Sequence, residues 1–467
     1  GVEYGQANNG LITQINADSN TGQGIRLNSS EGNTVSGNSV NLNGENGVLL
    51  VLSDDNEVLN NNASLNDDDG INLVESDDND VTGNNVSASG DDGIILASSS
   101  RNDVENNEAN SNGNEGIELT RSTAGDEAFN FTDRSRRNSL IGNNVSLNSD
   151  NGIELDNFAN NNTATSNTVL GNDNGIELDQ GANDNVLEDN NASLNDANGI
   201  HLTSSEGDRS NSNELTRNTA NGNEVNGIWL QLSDNNTLTD NTANENGDNG
   251  IYLGGEAPDE ADGNTLVDNT ANDNGGSGSI GEGGFSGIYL VNADDNTLLN
   301  NTVKRNEYGI WLLQSSQNNL TENLAENNPE SGIYLGGLNI GSANDNTLVD
   351  NIARGSEYGI WVRNSRNNDI SGSLAENNEV GIEFAEDGFF FASTLATSGN
   401  TFTNDTSKDN TDWDFVIETD DPIMIPFASP SPSDLPVTNL NIGASTNPNT
   451  LLSFDGDDVG IRSNMTT

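Results

Sequence analysis

The feature that most constrains the fold is a tetrapeptide, Gly-Ile-x-Leu, that recurs along most of the chain. Valine or phenylalanine occasionally replaces one of its apolar residues. The first four intervals between copies are each 23 residues, and most later intervals are 22 to 24 residues. The copies begin at Gly24, Gly47, Gly70, Gly93, Gly116, Gly152, Gly175, Gly199, Gly227, Gly250, Gly287, Gly309, Gly332, Gly359 and Gly381.

Asparagine recurs in phase with this tetrapeptide, in up to three positions per repeat spaced five residues apart. The first position is occupied by Asn33, Asn56, Asn79, Asn102, Asn161, Asn236, Asn296, Asn318 and Asn368. Asparagine suits tight corners because it tolerates the left-handed region, and stacked asparagines form amide ladders. A helical repeat would instead show a period of about 3.6 residues. The pattern predicts an all-β fold, a right-handed parallel β-helix (solenoid) of about 15 rungs with a short C-terminal β extension.

The repeat also predicts the organisation of the chain. We expect an N-terminal cap or first coil over residues 1–23, the β-helix over residues 24–400, and a C-terminal region over residues 401–467. That last region would hold a cap, a Pro/Ser linker and the start of a small β module. Phe389, Phe390 and Phe391 lie just before it, and a Gly-rich run at 275–287 is interpreted as a flexible insertion.

Composition narrows the class of protein further. The chain has 75 Asp and Glu against 15 Lys and Arg, a net charge of -60 and 31% hydrophobic residues. Such values normally indicate disorder, but stacked repeats bury a continuous core. The charge argues against nucleic acid, whose phosphates need basic residues. Lysine is limited to Lys304 and Lys408, which favours a protein that works in molar salt, where charges are screened. A halophilic archaeon is the predicted source, and a calcium-loaded acidic protein is the alternative.

Three further absences bear on compartment and chemistry. The chain has no cysteine, so it forms no disulfide and has no thiolate ligand or nucleophile. No apolar stretch approaches the roughly 18 residues of a membrane span. No signal peptide opens the sequence, so we expect that Gly1 follows a processing site or that the chain is trimmed.

The Gly-Ile-x-Leu and Asn-x-Val-x-x-Asn pattern resembles the right-handed parallel β-helix repeat family, which includes pectate-lyase-like and NosD-like proteins. The acidic, Asn-rich version is similar to haloarchaeal cell-surface β-helix proteins, as is the segment Val-Thr-Asn-Leu-Asn-Ile-Gly-Ala-Ser-Thr at 437–446. The resemblance covers about four fifths of the chain and implies the fold. It says little about function, because one fold hosts many activities.

The residue between Ile and Leu of each tetrapeptide should point away from the core. Six successive copies place an aromatic residue there: Trp229, Tyr252, Tyr289, Trp311, Tyr334 and Trp361. One interpretation is a binding strip for a partner chain or a glycan, because Trp and Tyr offer broad apolar faces with a polar tip. The alternative is that loops or the C-terminal segment cover these rings.

The same outward position carries acids just before the aromatic residues. Glu154 and Asp156 should stack against Glu177 and Asp179, with His201 in the next rung. The Arg-rich segment 121–138 could fold over this patch. Three interpretations stay open: a solvated acidic face, a site for Ca²⁺ or another cation, and a catalytic site like that of a uronate lyase, glycoside hydrolase or epimerase. The paired Asp-Asp and Gly-His-Gly motifs of such enzymes are absent. Copper handling of the NosD kind is disfavoured, because copper is bound by His, Met and Cys and the chain has one His, Met424 and Met465.

Asn-x-Ser/Thr sequons recur at equivalent outward positions and predict surface N-glycosylation. We single out Asn62, Asn85, Asn144, Asn191 and Asn319. The leading functional hypothesis is an extracellular structural or adhesive surface protein, presenting a rigid face to other protein subunits, to surface glycans, or to its own copies in a homo-oligomer or filament. No resident cofactor is expected unless the acids bind Ca²⁺. The competing hypothesis is a polysaccharide-active enzyme.

Overall fold

A computed structural model describes residues 1–121, 134–204, 208–255, 260–275, 285–337, 343–385, 400–403, 405–419, 441–442, 453–455 and 459–463. The chain divides into two compact units, Gly1–Ala243 and Asn244–Thr467. Each unit is described by itself below. The predicted boundaries after residues 23 and 400 stay predictions.

Both units are coils of short parallel strands. The predicted right-handed parallel β-helix is confirmed, as a solenoid of about 15 turns. Within the described ranges there is no helix. In the first unit the tetrapeptides form one parallel face, the first face, whose strands are Val2–Gly5, Ile25–Asn28, Val48–Val51, Ile71–Val74, Ile94–Ala97, Ile117–Thr120, Ile153–Leu155, Ile176–Leu178, Ile200–Leu202 and Ile228–Leu230.

Two more faces complete each coil of the first unit. The second face consists of Leu11–Thr13, Thr34–Ser36, Glu57–Leu59, Asp80–Thr82, Asp103–Glu105, Ser139–Ile141, Thr163–Thr165, Val186–Glu188, Glu214–Thr216 and Thr237–Thr239. The third face has the strands Asn144–Ser146, Thr168–Leu170 and Asn191–Ser193. Single parallel bridges, such as Asn62 to Asn85, continue the third face through the other coils.

The second unit repeats the three faces. Its first face consists of Ile251–Gly254, Ser286–Val291, Tyr308–Leu313, Ser331–Gly336, Tyr358–Arg363, Val380–Ala385, Trp413–Thr419 and Val459–Ser463. Its second face consists of Thr265–Val267, Thr297–Leu299, Asn319–Thr321, Thr347–Val349, Asp369–Ser371, Thr401–Thr403 and Asn441–Ile442. Its third face consists of Thr270–Asn272, Thr302–Lys304, Leu324–Glu326, Ile352–Arg354, Leu374–Glu376, Thr406–Lys408 and Ser453–Asp455.

The predicted C-terminal β extension is present in the backbone. Ser453–Asp455 pairs in parallel with Thr406–Lys408, and Val459–Ser463 pairs with Trp413–Thr419. The predicted Pro/Ser linker, Phe389 to Phe391 and most of the Gly-rich run at 275–287 lie outside the described residues.

The tetrapeptide residues fill the core. Ile71 and Leu73 are fully buried, and Val58 and Ala63 of the other faces are fully buried with them. The glycine of the tetrapeptide is needed because successive coils approach closely at that point. A Cβ on Gly70 would lie only 2.7 Å from the carbonyl oxygen of Gly93.

The asparagines form buried ladders, as the sequence predicts. Asn61 is typical, since its Nδ2 donates to Asn84 Oδ1 at 3.0 Å and to Val35 O at 2.9 Å. Its Oδ1 accepts from the backbone N–H and the Nδ2 of Asn38. The assignment of Asn161 to the first ladder is wrong by one residue, because Asn162 accepts the ladder bond from Asn138 and Asn161 is exposed.

An alternating ion-pair ladder crosses the third face of the second unit, where Lys304, Glu326, Arg354, Glu376 and Lys408 share one register. Glu326 lies 2.7 Å from the Lys304 ammonium and 2.8 Å from the Arg354 guanidinium. Glu376 lies 3.2 Å from the Lys408 ammonium. Both lysines of the chain therefore neutralise acids of this face.

Candidate functional site

The outward row is the set of residues between Ile and Leu of each tetrapeptide. In the first unit these residues are in register from strand to strand: Arg26, Leu49, Asn72, Ile95, Glu118, Glu154, Glu177, His201 and Trp229. The second unit has a row of its own, formed by Tyr252, Tyr289, Trp311, Tyr334, Trp361 and Glu383. The sequence therefore predicted the alignment of both rows correctly.

The aromatic rings of the second unit stack on one another. Centroids are 5.2 Å apart for Tyr252 and Tyr289, 4.7 Å for Tyr289 and Trp311, 5.4 Å for Trp311 and Tyr334, and 4.4 Å for Tyr334 and Trp361. The in-register parallel sheet causes this stacking, because its strand spacing of about 4.8 Å lies within the range of centroid separations found for offset-stacked rings.

Stacking leaves little ring surface open in the middle of the row. Tyr289 and Trp311 are each 8% exposed and Tyr334 is 3% exposed. The indole N–H of Trp311 donates to the carbonyl of Gly336 at 2.8 Å, and Tyr308 adds a ring whose centroid lies 4.9 Å from that of Trp311. A sugar ring stacks on a free aromatic face, and the faces of these three residues are covered by neighbouring rings. The interpretation of the row as a partner or glycan site stays a prediction.

The remaining aromatic residue of the predicted strip, Trp229, belongs to the first unit. Its ring stacks on His201 with centroids 4.5 Å apart. On the other side of His201, Nδ1 lies 3.4 Å from Glu177 Oε2. Both ring nitrogens of His201 are buried without a hydrogen-bond partner. The single histidine is therefore enclosed between a ring and a carboxylate.

The predicted acids do come together. Glu154 and Glu177 are register partners, and Asn174 donates to Glu177 at 2.7 Å. Asp156 and Asp179 follow the same two strands, and Asp156 accepts hydrogen bonds from Asn157. The structure adds Glu118, which precedes Glu154 in the row and which the sequence analysis did not single out.

Burial makes three of these carboxyl groups, those of Asp156, Glu118 and Glu154, hard to ionise. It raises the pKa of Asp156 to about 6, with repulsion from Asp179 as a smaller cause. It raises the pKa of Glu118 to about 7, helped by the charges of Glu115 and Asp156. Burial also raises the pKa of Glu154 well above its usual range, with repulsion from its acidic neighbours. Desolvation favours the neutral form of an acid, so Glu118, Glu154 and Asp156 retain protons at mildly acidic pH.

Among the described residues, one group of three carboxylates is close enough together to hold a metal ion, and it includes Glu118 of this row. One oxygen from each of Asp92, Glu115 and Glu118 fits within 4.8 Å of the others. The cation site predicted at Glu154, Asp156, Glu177 and Asp179 stays a prediction. Of the arginine-rich segment predicted to cover the acids, residues 122–133 lie outside the described residues. Arg134 lies over the ring of Phe158, 4.1 Å from its centroid.

The sequons occupy outer positions. Asn62, Asn85, Asn144 and Asn191 lie on the third face of the first unit, where Asn62 and Asn144 are exposed. Asn319 is exposed on the second face of the second unit. The hydroxyl of the sequon donates to the asparagine Oδ1 in several of them, as from Ser64 to Asn62 at 2.8 Å.

One set of residues escaped the sequence analysis. Leu42, Leu65, Leu147 and Leu194 are largely exposed at a single corner of the first unit. The available signal was their constant place, immediately before the third asparagine of a repeat.

Three parallel faces, buried asparagine ladders and an in-register outward row define a parallel β-helix protein. The family model described as periplasmic copper-binding protein (NosD) matches residues 1–130, 128–284 and 269–415. These matches cover most of the chain, so the chain belongs to the NosD family. No curated protein matches the chain in sequence.

Solved structures that match the chain do so at low sequence identity. An alginate lyase, AlyF-OU02, is 12% identical with a TM-score of 0.46, over 74% of this chain and 80% of that one. The Dettilon tailspike protein is 14% identical with a TM-score of 0.42, over 60% of this chain and 58% of that one. The A-module of the Azotobacter vinelandii mannuronan C-5 epimerase AlgE4 is 14% identical with a TM-score of 0.35, over 84% and 88%.

Proposed function

We propose that the protein is an extracytoplasmic structural or adhesive scaffold, which holds a regular surface in front of a partner, and not a catalyst. The observation that carries this proposal is the use of the outward row in contacts between coils. The rings of Tyr289, Trp311 and Tyr334 stack on one another, and Glu154 is buried among other acids. The family's description as periplasmic supports a location outside the cytoplasm.

The enzyme alternative draws on Glu154, Asp156, Glu177, Asp179 and His201. Acid–base catalysis on a polyuronate needs positive charge to hold the substrate carboxylates. Among the described residues, no lysine or arginine forms an ion pair with Glu154 or Glu177, and His201 is enclosed by Trp229 and Glu177. The net charge of -60 would also repel such a polymer. These points favour the scaffold.

The description of the family suggests that the protein binds copper, but the residues of this chain do not fit a copper site. Copper sites draw on several His, Met or Cys ligands. The chain has one histidine, His201, whose ring is stacked on Trp229, and no cysteine. Met424 and Met465 lie outside the described residues. We therefore assign no copper chemistry to this chain.

We extend the proposal to the surface and the setting of the scaffold. N-glycosylation at Asn62, Asn85, Asn144, Asn191 and Asn319 fits their outer positions, and mass spectrometry of the native protein would detect it as a mass increase on those peptides. The acid excess supports a source that lives in molar salt, a halophilic archaeon or its virus.

The test of the scaffold proposal is its location and retention on intact cells that make it. An antibody against the folded protein should label unbroken cells, and protease added outside should remove the label. The proposal would be overturned if the antibody labelled the protein only after the cells were lysed and the protein was found in the cytoplasmic fraction.

A further inference from the structure

Four leucines of the first unit, called the leucine ridge here, lie at the same exposed corner of their coils, Leu42 and Leu65 on adjacent coils and Leu147 and Leu194 two coils apart. Leu42, Leu65, Leu147 and Leu194 are 57%, 51%, 66% and 64% exposed. Each has a φ between +56° and +59°, in the left-handed region. Each directly precedes a buried asparagine of the third ladder, so all four occupy the same place in their coils.

The fold does not require leucine at this place. The left-handed region is unfavourable for residues other than glycine, and only Asn and Asp relieve it by local hydrogen bonds. The second unit has the same corner with the same positive φ and uses only polar residues or glycine there: Glu245, Asp273, Arg305, Asn327, Gly355, Asn377 and Asp409. Exposed leucines in an unfavourable backbone conformation therefore point to a use outside the fold.

Gly171 is the corner residue of the coil between those of Leu147 and Leu194, and Gly222 is the corner residue of the coil after Leu194. A Cβ on Gly171 would lie 2.9 Å from Leu147 Cδ2, and one on Gly222 would lie 3.0 Å from Leu194 Cδ2. Each of these leucines thus lies over a glycine of the next coil, which leaves room for it. The outer side of each leucine stays open to solvent.

A line of acids runs beside the leucines. Asp150, Asp173 and Asp196 are exposed a few residues beyond the corner. Partial burial raises the pKa of Asp173, and the negative charges of Asp150 and Asp196 raise it further. The aspartates of this line therefore repel one another. No lysine or arginine of the described residues pairs with these three acids. Asp67 and Asp68 stand in the same relation to Leu65.

We propose that this leucine ridge and its acid line are the docking surface for a cationic, amphipathic polypeptide segment of another protein. Its apolar side chains would cover the leucines and its Lys or Arg would neutralise the aspartates. A second copy of this chain is a poor occupant, because it brings 75 acids against 15 bases. The inference rests on the proposed scaffold function and names the partner class.

The test uses a labelled peptide of alternating lysine and leucine, with a lysine–serine peptide for charge alone. Fluorescence anisotropy is measured at about 0.15 M salt, where charges still act over about 8 Å. The ridge variant is Leu147→Asn with Leu194→Asn, since asparagine occupies this corner at Asn327 and Asn377. The control is Leu11→Asn, which replaces a leucine 62% exposed on the second face. Circular dichroism checks that each variant is folded.

We expect the lysine–leucine peptide to bind the parent protein and Leu11→Asn equally, and to bind the ridge variant about tenfold more weakly or worse. A triple variant, Asp150→Asn, Asp173→Asn and Asp196→Asn, should weaken binding as well. Equal binding of the lysine–serine peptide, or no effect of the leucine changes, would overturn the proposal in favour of general polyanion attraction. Self-association that only the ridge variant loses would assign the surface to a second copy. None of these results depends on where the protein is located, so the scaffold proposal is tested separately.

Discussion

Trp311 is the residue at which the two interpretations of the aromatic row differ most. Replacing it by alanine removes three ring contacts, to Tyr289, Tyr308 and Tyr334. Each such contact contributes about 0.5–1.5 kcal/mol beyond burial. The change also leaves the carbonyl of Gly336 without its indole donor, at a cost of about 1–3 kcal/mol. These contributions overlap the usual range for deleting a buried tryptophan side chain, and we expect a loss within that range, about 3–5 kcal/mol.

Urea unfolding in molar salt, followed by circular dichroism, measures this loss. With a slope of about 3 kcal/mol per molar, the midpoint should fall by about 1 M or more. Trp361→Ala is the matched control, because Trp361 is partly exposed and its indole N–H has no hydrogen-bond partner among the described residues. Its midpoint should fall clearly less. If Trp311→Ala leaves stability unchanged but abolishes assembly or glycan retention, the row is a docking strip and the reasoning is refuted.

Three further predictions concern polar and charged groups. Burial raises the pKa of Glu118 to about 7 and also raises the pKa of Glu154. The native state therefore holds protons that the unfolded chain releases near pH 4. The free energy of unfolding should fall as the pH rises from about 4 through 7. Glu118→Gln with Glu154→Gln should flatten that pH profile in calorimetry, with the exposed pair Glu57→Gln and Glu214→Gln as the charge-matched control, and an unchanged slope would contradict the assignment. Asn61→Leu orphans partners on both neighbouring coils and should cost about 3 kcal/mol or more in urea unfolding; a loss below about 1 kcal/mol would contradict the ladder's role. Glu326→Gln should cost about 1 kcal/mol at low salt and less in molar salt, and a loss independent of salt would argue against the ion-pair ladder.

The sequence predicted the parts of the fold that every coil repeats. Ile71 and Leu73 are core residues because the same apolar spacing recurs at each turn, and Asn61 is a ladder residue for the same reason. The error at Asn161 arose where three asparagines run together, Asn160 to Asn162. There the hydrogen bond from Asn138 decides which one enters the ladder, and spacing alone does not.

The sequence predicted which residues of the candidate site are aligned from coil to coil, but it did not predict how much of each side chain is exposed. Periodicity says that Tyr289, Trp311 and Tyr334 point away from the core, and the structure adds that their faces are covered. The exposed leucines, such as Leu147, were missed because a corner residue with positive φ carries no hydrophobic periodicity. Its constant place before the third asparagine was visible in the sequence, but the backbone conformation and the exposed area are needed to identify it as unusual.

The most direct test of the scaffold account is a turnover assay on the folded protein in molar salt. The protein is incubated with alginate, polygalacturonate and neutral polysaccharides, and the products are followed as new reducing ends, unsaturated uronates and changed uronate stereochemistry. The account predicts no product above that of a heat-unfolded sample with any substrate. Product formation that is lost in Glu154→Gln or His201→Gln would contradict it and would make the acidic row an active site.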